Sequence, residues 1–188
     1  MPMETINLSD FEDGPKIFPL KSFEDSRGSF SMFYQVSELR KIYPDLPEFG
    51  QLNVIRARNR SLRGFHGATE AASHWKLVIC FAGEVIEGFL DIRSTSRSFG
   101  MVATSKFRGP DPKIIVIPPG FAHAFQSLSD ETISIYATNI EYKDQTEIAI
   151  QVLGGDWASL WEASPILSQR DKEAPTLEAL IEEGRLGK

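Results

Sequence analysis

Cysteine occurs once in the 188 residues and histidine only three times. The lone Cys80 excludes an internal disulfide and fits a reducing compartment. No stretch approaches the roughly 18 consecutive apolar residues of a membrane-spanning helix, and Met1-Pro-Met-Glu-Thr lacks the basic-then-apolar order of a secretory signal. A cytoplasmic protein without a membrane partner is expected. Basic charge is also short: Lys and Arg number 20 against 26 Asp and Glu, a net charge of −6. That is the wrong sign for a surface that neutralises a nucleic-acid backbone, so nucleic acid is excluded as a partner. Any anionic ligand must be small and met by a local basic cluster. Internal repeats, low-complexity tracts and Gly/Ser linkers are missing too, so residues 1–188 are expected to form one domain.

What is present is a succession of short β-branched and aromatic runs closed by turn residues. Strands are expected over 16–20, 28–34, 51–58, 61–66, 74–81, 84–92, 100–104, 113–117, 122–127 and 132–138. So many strands with little helix between them exclude a parallel α/β sheet and leave a mainly β sandwich or jelly-roll barrel, its core at about 15–145. Two peripheral helices are expected, over 36–43 before Pro44 and over 176–183 between Pro175 and Gly184. An arm and helix from about 150 to 185 carry Trp157 and Trp161, whose rings are best explained by packing on the barrel.

Chemistry centres on the scarce histidines. His66 closes Leu62-Arg-Gly-Phe-His, where strict alternation puts Leu62, Gly64 and His66 on one face and Arg63 and Phe65 on the other. His123 follows a Pro-Gly turn in Pro118-Pro-Gly-Phe-Ala-His, a spacing that resembles the second motif of cupin barrels. Metal-binding cupins add a His-x-His pair and a Glu. Here the pair is missing and Lys76 stands where the Glu is expected, a cation that repels a metal and attracts an anion or developing oxyanion. No metal site is expected.

Ten fragments then fall in register. Asp25-Ser-Arg-Gly-Ser-Phe, Arg63-Gly-Phe-His, Lys76-Leu-Val, Gly83-Glu-Val, Asp91-Ile-Arg, Ser98-Phe-Gly, Ile117-Pro-Pro-Gly-Phe-Ala-His-Ala-Phe, Tyr136-Ala-Thr-Asn, Tyr142 and Leu167-Ser-Gln-Arg-Asp resemble, in order and spacing, the dTDP-4-dehydrorhamnose 3,5-epimerase family over about 15–177. The resemblance implies a cupin-like jelly-roll epimerase that inverts C3, C5 or both of a nucleotide-diphospho-4-keto sugar for surface-polysaccharide precursors. It implies no cofactor, and it implies a homodimer in which the strand carrying Arg27 reaches the partner's pocket. By the same resemblance His66 is the base with Asp171 behind it, Tyr136 the facing acid, and Lys76 the positive group near the C4 oxygen. Arg27 and Arg63 would hold diphosphate and sugar, Gln51 and Asn53 would line the pocket, and His123 would support it.

The chemistry is coherent by itself. A C4 ketone acidifies the neighbouring C–H bonds, and inversion needs a base on one face, a proton donor on the other and positive charge at the enolate oxygen. Each residue also has a plainer reading. Tyr136 is equally a strand residue whose hydroxyl finds a partner, Lys76 and Arg63 are equally solvated strand charges, and Asp171 is equally a surface acid. His74 is taken as structural or exposed, without a role. Cys80 is taken as a packed side chain, and Phe30, Phe33 and Tyr34 as barrel packing rather than base-stacking surfaces. A 3,4-ketoisomerase, a non-catalytic sugar-nucleotide-binding cupin and, last, a metal-dependent dioxygenase remain as alternatives.

Three departures from the family pattern bear on specificity: Met32 where a Glu is expected, Gly67-Ala68 where an aromatic-Gln pair is expected, and Leu153-Gly-Gly-Asp in place of Trp-Asn-Asp. Small residues after His66 suggest an enlarged pocket and a changed substrate.

Overall fold

Runs such as Lys113-Ile-Ile-Val-Ile are apolar at both parities, so neither face of such a strand can stay in water. The computed structural model, which describes residues 7–141, 147–162 and 164–186, answers this by covering both faces of two sheets. The strands are β1 (Lys16–Pro19), β2 (Lys21–Asp25), β3 (Gly28–Met32), β4 (Gln51–Ala57), β5 (Leu62–Gly67), β6 (Lys76–Ala82), β7 (Glu84–Asp91), β8 (Val102–Arg108), β9 (Lys113–Ile117), β10 (Phe121–Ser127), β11 (Thr132–Thr138) and β12 (Ile148–Ile150). Three short helices are α1 (Val36–Leu39), α2 (Gln169–Lys172) and α3 (Leu177–Glu182).

One sheet runs β1-β9-β6-β11-β4 and the other β12-β5-β10-β7-β8, with β2 and β3 as a separate hairpin. The pairings are antiparallel throughout, which makes this a mainly β, cupin-like jelly roll. Val78, Cys80, Val85, Phe89, Ile115, Phe121 and Phe125 fill the space between the sheets at one end. The outer face of the first sheet is covered by residues 36–49, where Leu39, Tyr43 and Leu46 pack on Leu77, Ile79 and Val116. The outer face of the second is covered by the C-terminal arm, with Trp157 and Trp161 edge-on to the fully buried Phe65. Thr176 caps α3 by accepting from Ala179 N–H at 3.2 Å, and Gly184 ends it at φ +68°.

Sequence expectations needed correction at the ends. The run at 16–20 stops at Pro19, and Lys21-Ser-Phe-Glu-Asp forms β2, which its fully exposed, polar pattern concealed. β12 has only three residues, too few for a pattern. The expected helix at 36–43 keeps a single turn, and Tyr142 lies outside the described residues. No helix among the described residues is long and apolar enough to cross a membrane.

Gly67 has a packing explanation. A Cβ there would lie 2.8 Å from Ala122 Cα and 2.8 Å from the Phe121 carbonyl oxygen, both backbone of the neighbouring β10. Gly67→Ala should therefore lower unfolding free energy by about 1–3 kcal/mol, because the obstructing atoms belong to the sheet itself. Urea unfolding followed by tryptophan fluorescence would measure it, and an unchanged midpoint would overturn this explanation.

Candidate active site

Alternation alone would separate Arg63 from His66, yet both line one cavity. The reason is a bulge: His66 pairs with His123 and Arg63 with Phe125, so three steps along β5 match two along β10. The extra residue resets the parity, turning Arg63 and His66 inward while Leu62 and Phe65 enter the core beneath the C-terminal arm. The cavity, about 240 Å³, lies between the sheets and takes Gln51, Lys76 and Tyr136 from the facing sheet.

His66 is tied to the C-terminal arm. Its Nε2 lies 2.6 Å from Asp171 Oδ1, and the other carboxylate oxygen accepts from Ser168 Oγ at 2.7 Å. Ser168 in turn accepts from Asp171 N–H at 3.2 Å as the cap of α2, so the carboxylate is held at the start of a helical turn. Gly64 permits the approach, since a Cβ there would sit 3.1 Å from Asp171 Oδ1. Asp171 is only 5% exposed, which excludes the surface-acid reading. Burial alone would raise its pKa; the hydrogen bonds from His66, Ser168 and Gly64 N–H outweigh burial and hold the carboxyl below its ordinary range. An ionised Asp171 can only accept, so Nε2 donates its N–H to the carboxylate, and in that tautomer the ring's lone pair is on Nδ1.

On the facing sheet Lys76 is 7% exposed and donates from Nζ to the His66 carbonyl oxygen at 3.0 Å, so it is no solvated strand charge. Burial pulls its pKa below the usual lysine value, against Glu147, which raises it, while Arg170 adds to the lowering. Tyr136 shifts the other way: burial, then Glu147, raises the phenol despite Arg63, so it keeps its proton at neutral pH. Arg63 itself is exposed at the rim, with its guanidinium 6.0 Å from the centre of the Phe125 ring. His123 lines the cavity from β10, stacked on Phe89 and hydrogen-bonded through Nε2 to Glu87 Oε2 at 2.5 Å.

Six of the nine expected residues, His66, Lys76, Tyr136, Arg63, Gln51 and His123, therefore line the cavity, and Asp171 stands directly behind His66. Asn53 does not line it; its Oδ1 accepts from Gln51 Nε2 at 2.9 Å and so orients a residue that does. Arg27 is remote: it sits at the tip of the β2–β3 hairpin, 87% exposed and paired with Asp25 at 2.6 Å. Gly67, Ala68 and Met32 line no part of the cavity, so the small residues after His66 do not enlarge it.

Three polar residues escaped the sequence reading. Glu147 and Arg170 form a 2.8 Å ion pair on the cavity wall, the arginine adjoining Asp171 in the motif already noted. Glu87, fully buried behind His123, announced itself only as a lone acid in the run Val85-Ile-Glu-Gly-Phe. His74, read as structural or exposed, is buried and lines the cavity. Cys80 is packed as expected, its thiol pushed up to about 11 chiefly by burial. Phe30 and Phe33, by contrast, stand on the outside, 65% and 39% exposed.

The family profile described as dTDP-4-dehydrorhamnose 3,5-epimerase matches residues 13–179. Similar curated proteins include the dTDP-4-dehydrorhamnose 3,5-epimerases of Streptomyces griseus, 30% identical over 88% of this chain and 84% of that protein, and of Shigella flexneri, 33% identical over 82% and 86%. Among solved structures, the Mycobacterium tuberculosis rmlC epimerase superposes with a TM-score of 0.88 at 28% identity, covering 100% of this chain and 94% of that one. The Legionella pneumophila RmlC, solved with dTDP-4-keto-L-rhamnose, gives 0.82 at 30% identity, with 94% of each chain covered.

The Asp171 carboxyl sets the sign of one acid effect. Its pKa is lower folded than unfolded, so the stability it contributes is present above its unfolded value and is lost as pH falls through the folded one. The stability advantage of the wild type over Asp171→Asn should narrow as pH falls from about 4 to about 2. Urea midpoints of both proteins across this range test it; a gap that widens in acid would contradict the pairing.

Proposed function

Because this chain belongs to the dTDP-4-dehydrorhamnose 3,5-epimerase family and is an epimerase of nucleotide-diphospho-4-keto sugars, we propose that His66 removes the proton beside the carbonyl, Tyr136 returns one to the opposite face, and Lys76 steadies the enolate oxygen between them. The observation that carries this reading is the His66–Asp171 hydrogen bond at 2.6 Å, on the wall facing Lys76 and Tyr136.

With its Nε2 proton committed to Asp171, the imidazole offers Nδ1 as the base, and the buried carboxylate steadies the imidazolium that results. The C–H electron pair moves into the ring and the carbonyl oxygen becomes an enolate. A Lys76 ammonium with a lowered pKa is a stronger hydrogen-bond donor to that oxygen than an exposed one. The protonated Tyr136 phenol then delivers its proton to the far face of the same carbon, inverting it, and solvent resets both groups. The diphosphate falls to Arg63 at the rim. The carrier we propose is dTDP, which the names of the relatives share.

A homodimer completes the site. Among the described strands β4 is the last of its sheet, and its outward side chains Leu52 and Val54 are 62% and 59% exposed, Leu52 beside Phe33 and Tyr34. An apolar edge strand invites a second strand, and a two-fold partner supplies it while carrying the Arg27 hairpin toward the other cavity. A free, buried Cys80 agrees with a cytoplasmic setting.

Solvent deuterium should enter dTDP-4-keto-6-deoxyglucose with the intact protein, and His66→Ala or Tyr136→Phe should slow its entry about 10²–10⁴-fold. No exchange with any dTDP-, GDP-, UDP- or CDP-linked 4-keto sugar, followed by NMR, would sink the assignment. In solution scattering the wild type should have the mass of two chains and Leu52→Lys/Val54→Lys the mass of one; a monomeric wild type would remove the dimer.

A further inference from the structure

Among the described residues, four buried side-chain polar atoms lack a hydrogen-bond partner: Asn53 Nδ2, His74 Nε2, Glu87 Oε1 and Trp157 Nε1. Only His74 belongs to a residue that lines the cavity. A buried polar atom left unpaired is costly, which makes it a place where a ligand group recovers free energy. The imidazole is 5% exposed and follows Ser73, a residue at φ +49°. Asn139 pins both neighbours, accepting from Trp75 N–H at 2.8 Å and donating to the Ser73 carbonyl at 2.9 Å. His74 is thus held from behind through its backbone, and two residues further along the chain stands Lys76.

We propose that His74 is a specificity-determining residue whose imidazole hydrogen-bonds a ring hydroxyl of the nucleotide-linked sugar. This rests on the reading that the sugar occupies this cavity. The ligand chemistry follows from the ring: burial, with Lys76 adding to it, lowers its pKa to about 4, so at neutral pH it presents one donor and one acceptor. The unpartnered Nε2 therefore offers either a donor or an acceptor, and a hydroxyl, which can give or take, suits both, whereas a phosphate wants cations and finds Arg63 at the rim.

The test compares dissociation constants of dTDP and of dTDP-6-deoxyglucose, the unreactive 4-hydroxy counterpart, by calorimetry. His74→Phe keeps a ring without nitrogens, and His74→Gln keeps a donor and an acceptor. The ratio of the two constants, which isolates the sugar, should fall about tenfold in His74→Phe and be largely restored in His74→Gln, with dTDP binding unchanged in both. An unchanged ratio in His74→Phe, or an equal loss for dTDP alone, would overturn the inference. If the ratio falls as expected while the wild type exchanges no deuterium into any 4-keto sugar, the inference stands and the epimerase reading fails. If the wild type binds neither nucleotide, both fall.

Discussion

A single hydrogen bond, His66 to Asp171, joins residues 105 positions apart, and much of the structure serves to make it possible. The bulge in β5 turns His66 inward, Gly64 removes the side chain that would stand in the way, and Ser168 holds the carboxylate by capping α2. The His66–Asp171 bond would be lost if the C-terminal arm were free. Trp157, Trp161, Leu177 and Leu180 bury it against the outer face of the sheet that carries His66. Burying the arm's apolar residues thus offsets the cost of placing a carboxylate where water is scarce.

The same cost recurs across the cavity. Lys76 is buried with one backbone acceptor, and Glu87, on the same sheet as His66, is buried with one oxygen bonded to His123 and the other without a partner among the described residues. Lys76, which lines the cavity, weakens the fold in this way and is better explained by what it does to a ligand. The burial that makes Lys76 costly lowers its pKa, and the burial of Tyr136 raises its own, so one environment moves two neighbours in the directions that oxyanion stabilisation and proton donation require.

How much of this was legible beforehand depended on whether local pattern or tertiary pairing decided it. Strands such as β6, β9 and β10 announce themselves because their apolar runs are buried on both faces, and the motif around His123 is a turn with fixed chemistry. β2 and β12 were not visible: one is polar and exposed, the other is three residues long and exists only because β5 offers it an edge. Strict alternation misplaced Arg63 for a related reason, since a bulge is a property of a pair of strands and not of one. Glu87 and Glu147 were missed because their partners, His123 and Arg170, are far away in the chain.

The departures at 67–68 show how a local difference can mislead about a pocket. Read as a change from large to small side chains, Gly67-Ala68 implies added volume beside His66. In the fold both residues are buried, and the space beyond Gly67 is already taken by the backbone of β10. The missing side chain is thus replaced by protein rather than left as room for substrate. Specificity must then be sought among groups that touch the cavity, and there, among the described residues, the one with an unpaired buried polar atom is His74, which no motif singled out. A substitution changes recognition only where the fold leaves its side chain facing a ligand, and burial identifies such positions more surely than residue size does.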